Sequence, residues 1–141
     1  MDLELDREGT PVYQALCFSV ILLDTNALLW LHQGHARSRR LRTAYQRLYV
    51  SPASILELQF LVEAGRLRLR SQATVSDLAD DDRWVIDDPP SDRWFATAVN
   101  VGWSRDPFDR LIVAHAALRN WRLATGDDAL ITRLGAKAVE L

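Results

Sequence analysis

The run Val20-Ile21-Leu22-Leu23 is wholly apolar and stops abruptly at Asp24. A strand that shows one face to water alternates polar and apolar residues, so an unbroken apolar run reads as a strand buried on both faces. Such a strand needs covering layers on either side. Further short apolar runs, at Leu48-Tyr49-Val50, Trp84-Val85-Ile86, Trp121 to Ala124 and Ala138 to Leu141, alternate with stretches of helical spacing. Strands that alternate with helices give the α/β class, here a three-layer α/β/α arrangement around a central, mainly parallel sheet.

The helices have readable boundaries. Thr25 or Asn26 is the expected cap of a short helix over Ala27 to Leu31, and Arg37 to Arg47 reads as a basic helix with Leu41, Ala44, Tyr45 and Leu48 at helical spacing. Ser51-Pro52 is a cap followed by proline at the first helical position, and that helix runs to about Ala64, where Gly65 stops it. Ser91 to Val101 is a helix ended by Gly102. Asp106 to Asn120 is the clearest one, with Phe108, Leu111, Ile112, His115 and Leu118 on one face. Arg66, Arg68 and Arg70 alternate with leucines, which fits either a short edge strand or an exposed basic loop.

A chain of 141 residues suits one core. With 48% apolar and 26% charged residues it has an ordinary globular composition, against disorder or a fibrous architecture. Cys17 is the only cysteine, so an intramolecular disulfide and a cysteine-based zinc site are both excluded, and a reducing cytoplasmic compartment fits. The apolar stretch from Cys17 to Leu23 is too short to span a bilayer, and acidic residues before it do not suit a secretory signal. The net charge of −2 decides little, because nucleic-acid binding depends on where charge is displayed. No GxGxxG, GxxxxGK[ST] or G-x-S-x-G pattern occurs, which removes support for dinucleotide, triphosphate and esterase sites.

The acids carry the functional reading. In an open parallel sheet ligands bind beyond the carboxyl ends of the strands, and Asp24 and Asp127 each follow an expected strand. Glu57 has Ala53, Phe60 and Leu61 as its helical neighbours, so its charge wants a compensating partner or metal, unless its head simply reaches water. Asp106 and Asp109 open the clearest helix, where Asp106 is also a good N-cap; Asp127 is equally a candidate cap. Taken together these acids make one negative pocket that needs cations. Oxygen-only ligands suit Mg²⁺ or Mn²⁺ better than Zn²⁺, and on nucleic acid such a site performs phosphodiester hydrolysis.

Four segments in this order resemble the PIN-domain ribonucleases, most closely the VapC-type toxins of bacterial toxin–antitoxin pairs: Ile21 to Trp30, Ser51 to Leu58, Arg105 to Ala114 and Ala124 to Leu130. The resemblance covers Val20 to the end, so 20–141 reads as a PIN-like nuclease domain and 1–19 as an N-terminal extension, with Val20 a candidate for the true start. It implies that Asp24, Glu57, Asp109 and Asp127 are the catalytic quartet, with Asp106 a supporting acid. Asp24 and Asp109 would bind the metal, and Glu57 and Asp127 would complete its shell or orient water. It further implies Mg²⁺ or Mn²⁺, endoribonuclease action, a homodimer, and inhibition by a VapB-like antitoxin. His115, where related chains often carry an amide, reads as core or interface packing.

Arginine forks match phosphate oxygens, which makes Arg37, Arg39 and Arg40, with Arg42 and Arg47, candidate RNA contacts; Arg66, Arg68 and Arg70 form a second group. Arg110 either holds the acids or steers RNA. Trp30, Trp94 and Trp103 read as packing anchors or partner contacts. Two other readings remain at this point: a catalytically silent PIN-like protein-binding module, and a structure-specific DNA nuclease.

Overall fold

The computed structural model describes residues 19–43 and 45–141, so the expected N-terminal extension, up to residue 18, and Ala44 lie outside the described residues. Among these, five strands form one sheet: β1 (Ser19–Leu23), β2 (Gln46–Val50), β3 (Val85–Ile86), β4 (Arg122–Thr125) and β5 (Ala138–Glu140). Their order is β3-β2-β1-β4-β5 and every pairing is parallel. The chain builds outward from β1 to β3, then crosses to β4 on the other side of β1. That reversal makes the carboxyl ends of β1 and β4 the sheet's switch point, where a crevice opens.

Successive strand residues point to opposite faces, and both faces are apolar. Ile21, Leu23 and Ala124 face a layer containing Leu28 and Leu31 of α1 (Thr25–Gln33) and Leu78 of α3 (Val75–Ala79). Leu22 and Leu123 face Trp94 and Ala98 of α4 (Ser91–Val99), Ile112, Val113 and Ala116 of α5 (Pro107–Arg119), and Leu130 of α6 (Asp128–Leu134). Helix α2 (Pro52–Glu63) reaches both layers, with Ala53 in the second and Leu58 in the first. The expected three-layer α/β/α architecture is the one observed. No helix of the described residues is long and apolar enough to cross a membrane.

Several local expectations change. The basic helix over 37–47 is a 3₁₀ turn, Ala36–Leu41, followed by the start of β2. Arg37 and Arg40, and Arg39 and Arg42, stand three apart with no acid among them, so like charges oppose a longer helix. Tyr45, expected on an apolar stripe, is exposed. Asp24, rather than Thr25 or Asn26, caps α1. Between Arg66 and Leu69 there is neither strand nor helix; Arg70 instead donates to the Gln33 carbonyl at 2.6 Å, and Arg83 to the Leu31 carbonyl at 3.1 Å. Arg70 thus satisfies the Gln33 carbonyl at the end of α1, while the Leu31 carbonyl, which already accepts from the Gly34 amide, gains a second donor in Arg83. Helix α3 was not anticipated, although Thr74 and Asp77 form a reciprocal capping box. The cap of α4 is Asn100, two residues before Gly102.

His115 is fully buried on the core side of α5, as its place on the apolar stripe suggests. Its Nε2 meets Asp87 Oδ2 at 2.7 Å, and Arg119 Nε donates to the same oxygen at 2.8 Å. The carboxylate therefore ties the end of β3 to the last turns of α5. Trp94 donates to the Leu111 carbonyl at 2.7 Å, which joins α4 to α5 and makes this tryptophan the packing anchor expected of it.

Candidate active site

Asp24 is the first residue after β1. Its amide donates to the Ala124 carbonyl, which continues the sheet pairing, and its Oδ1 accepts from the Ala27 amide at 2.7 Å. The Thr125 hydroxyl, from the end of β4, bonds to the same carboxyl. Only 6% of the residue is exposed. Burial pushes its carboxyl up to about 6, against the downward pull of its hydrogen bonds and of the Arg37 charge.

Glu57 sits on α2 opposite Asp24's neighbour Thr25. The Thr25 hydroxyl donates to Glu57 Oε1 and also lies 3.2 Å from the Ser54 hydroxyl, so a buried pair of hydroxyls orients the carboxylate. Burial raises the Glu57 carboxyl, and the charges of Asp106 and Asp24 add to that. Ser54 lies one turn before Glu57 and Thr25 directly after Asp24. Both positions could be found in the sequence, but nothing there brings α1 against α2.

Asp106 caps α5 through Oδ1, which accepts from the Phe108 amide at 2.8 Å and the Asp109 amide at 3.3 Å. Asp127 caps α6 in the same way, from Ala129 at 2.8 Å and Leu130 at 3.2 Å, while the Thr125 hydroxyl accepts from its amide. In each case Oδ2 stays out of the cap. Asp109, in the first turn of α5, makes no side-chain cap at all. Burial pushes it up to about 7, with repulsion from Asp106, Glu57, Asp127 and Asp24 adding to the rise.

All five acids line one depression of about 200 Å³, together with Thr25, Asn26, Leu61 and Leu130. No arginine or lysine lines it. Three helices start at its rim and aim positive dipole ends inward, yet Asp24, Glu57 and Asp109 remain raised, chiefly by burial and further by the neighbouring acids. Among the described residues no three such side chains are gathered tightly enough to hold an ion by themselves.

The basic candidates separate. Arg37 stacks on Trp30, with its Cζ 4.1 Å from the ring centroid, and its Nη2 donates to the Leu141 carbonyl at 3.1 Å. Arg39 and Arg40 are exposed on the same turn. Arg110 is half-buried, and its Nε donates to the Ser104 carbonyl at 2.7 Å, bracing the loop before α5. Arg42 is turned back on Ser38 and the His35 carbonyl. Of the remaining tryptophans, Trp103 packs partly buried beneath the Arg133 guanidinium.

The raised acids have a measurable effect on stability. A carboxyl raised above its unfolded value binds more protons in the native state, so stability falls as pH rises from about 4 to the folded value. His115 and His32 are held down by burial and act with opposite sign below their usual value. The difference between the wild type and Asp109→Asn isolates the carboxyl. We expect metal-free Asp109→Asn to be more stable than wild type at pH 8 by about 1–2 kcal/mol, discounted for solvent screening, with the advantage gone at pH 4. Urea titrations at the two pH values check this; an Asn variant less stable at pH 8 would contradict it.

A PIN domain model matches residues 21–136 of the chain. No curated protein sequence matches it. Among solved structures, a chain of a toxin–antitoxin complex from Klebsiella pneumoniae superposes with TM-score 0.62 at 19% identity, over 86% of this chain and 99% of that one. VapBC-1 from nontypeable Haemophilus influenzae gives 0.63 at 17% identity, over 86% and 97%. VapBC2 from Rickettsia felis bound to a promoter DNA fragment gives 0.60 at 18%, again over 86% and 97%. At such identities the likeness is one of fold.

Proposed function

The chain belongs to the PIN domain family, and on that premise we propose that it is a divalent-metal-dependent endoribonuclease that acts as the toxin of a toxin–antitoxin pair. The observation that carries this reading is the convergence of five carboxylates, with no cation lining the pocket and with Asp24, Glu57 and Asp109 raised by burial, on the switch point of the sheet. Such a cluster is costly unless a cation completes it.

In this reading Asp24 and Asp109 hold Mg²⁺ or Mn²⁺ directly. Glu57 and Asp127 complete its surroundings or orient water, and Asp106 supports them from the start of α5. When bound, the ion supplies Lewis acidity toward the phosphodiester. The protein's own share is positioning. Thr25 and Ser54 fix the Glu57 carboxylate, Thr125 braces both Asp24 and the Asp127 backbone, and the capping bonds leave one oxygen of Asp106 and of Asp127 turned away from their helices. Glu57, raised by burial, is suited to taking a proton from the attacking water. The toxin role, a VapB-like antitoxin, a homodimer and a cytoplasmic setting are part of the same proposal, supported by the fold-level likeness to toxin–antitoxin structures.

Incubation of the purified chain with unpaired RNA is expected to give cleavage with Mn²⁺ or Mg²⁺ and none with EDTA, and Mn²⁺ is expected to raise the melting temperature by mass action on the folded state. Absence of both effects would favour a silent binding module. Cleavage confined to branched DNA would favour the structure-specific nuclease.

A further inference from the structure

Beside the acidic pocket lies a second, larger concavity of about 410 Å³, lined by Ala36, Arg37, Arg39, Arg40, Glu140 and Leu141. Three of its six lining residues are arginines carried by one 3₁₀ turn, and none of the three forms an ion pair with a described side-chain carboxylate. Arg40 gives Nη1 to the Glu140 carbonyl at 3.0 Å, and Arg37 gives Nη2 to the Leu141 carbonyl. Both keep their remaining donors. Arg39 donates to none of the described residues. The neutral Glu140 carbonyl thus holds the Arg40 guanidinium in place without neutralising it, while a Leu141 oxygen holds that of Arg37.

Arg37 joins the two concavities. Its guanidinium lies over the Trp30 indole and against Gly126, the residue before Asp127. Its charge acts on Asp24. A planar fork fixed by stacking suits two phosphate oxygens at low entropic cost.

We propose that this arginine groove carries the phosphate backbone of the substrate strand, with Arg37 passing it to the acidic pocket and Arg39 and Arg40 holding the flanking phosphates. The proposal rests on the nuclease reading for its substrate but not for its test. An acidic peptide would also be drawn to arginines, but continuing into five carboxylates would repel it, and the groove has only Ala36 and Leu141 to receive apolar side chains. A nucleic-acid backbone meets neither obstacle, because its charge enters the pocket together with cations.

The test measures binding without turnover. A fluorescein-labelled 20-nucleotide oligouridylate is titrated with the full chain in EDTA, over a range of salt concentrations. Each lost phosphate contact on a single strand reduces the slope of log K against log salt by about 0.7, so Arg39→Ala/Arg40→Ala is expected to lower it by about 1.4 and to weaken binding at low salt at least tenfold. Arg39→Lys/Arg40→Lys keeps the charges and is expected to restore most of the slope. Arg93→Ala, on the exposed side of α4, is the control and should leave it unchanged. An unchanged slope in the alanine pair overturns the proposal, as does displacement of the RNA by oligoglutamate at equal concentration, which would assign the groove to an acidic peptide. The slope change without any Mn²⁺-dependent cleavage by wild type would keep the groove and remove the nuclease reading. Cleavage with an unchanged slope would do the reverse.

Discussion

Replacing Asp24 with asparagine is expected to lower metal-dependent RNA cleavage by roughly a thousandfold or more while leaving the fold intact, since under the proposed function the variant loses a direct ligand of the cation. The two effects separate because Asp24 has two duties. Its Oδ1 caps α1 through the Ala27 amide, and asparagine is about as good a cap as aspartate. Its charge, by contrast, is buried and pushed up to about 6, so the neutral amide removes a cost above that pH. The metal-free variant should therefore melt at or above the wild-type temperature at pH 8. Asp24→Ala loses cleavage equally but also the cap, at about 1 kcal/mol. Full cleavage by Asp24→Asn would remove Asp24 from the site; a collapsed melting temperature would make its role structural.

Gly126→Ala should damage stability and cleavage together. A Cβ at Gly126 would stand 2.5 Å from Arg37 Nη2 and 2.5 Å from Trp30 Cη2. The guanidinium is the far end of a flexible side chain and can swing away. The indole cannot, because it is packed against His35 and under Arg37. The turn must move instead, at a cost of about 1–3 kcal/mol. Asp127 is the next residue, and a displacement of its cap by an ångström is enough to slow chemistry by roughly a hundredfold. Thermal melting and single-turnover cleavage measure the two effects. Arg37→Ala added to Gly126→Ala should not restore either, since the indole edge remains; a tolerated Gly126→Ala would show that the turn is looser than its contacts suggest.

The sheet was legible because a parallel strand buried on both faces writes itself as an unbroken apolar run, and Val20 to Leu23 could hardly be anything else. The acids were legible for a related reason: Asp24 ends that run, and Glu57 has apolar neighbours along its helix. Pairwise contacts between distant segments were not. Nothing local tells that Thr25 will meet Glu57, that Asp87 will meet His115 across 28 residues of sequence, or that Arg37 will lie against Gly126. The basic segment over 37–47 misled because its spacing is helical while its charges are all of one sign. With no acids to offset them, the turn ends after Leu41 and the backbone goes on to the β2 edge of β1.

Asp24, Asp106 and Asp127 each serve a helix start with one oxygen, and this dual employment shapes how the protein can change over generations. An Asp→Asn substitution at any of the three preserves the cap and relieves crowding of charge. Loss of chemistry in this architecture is thus a downhill step in folding free energy, open to single substitutions, and retention of the acids requires continued selection for what the pocket does. Inactive descendants should be easy to reach, well folded, and still able to present the same outer surface to whatever binds it.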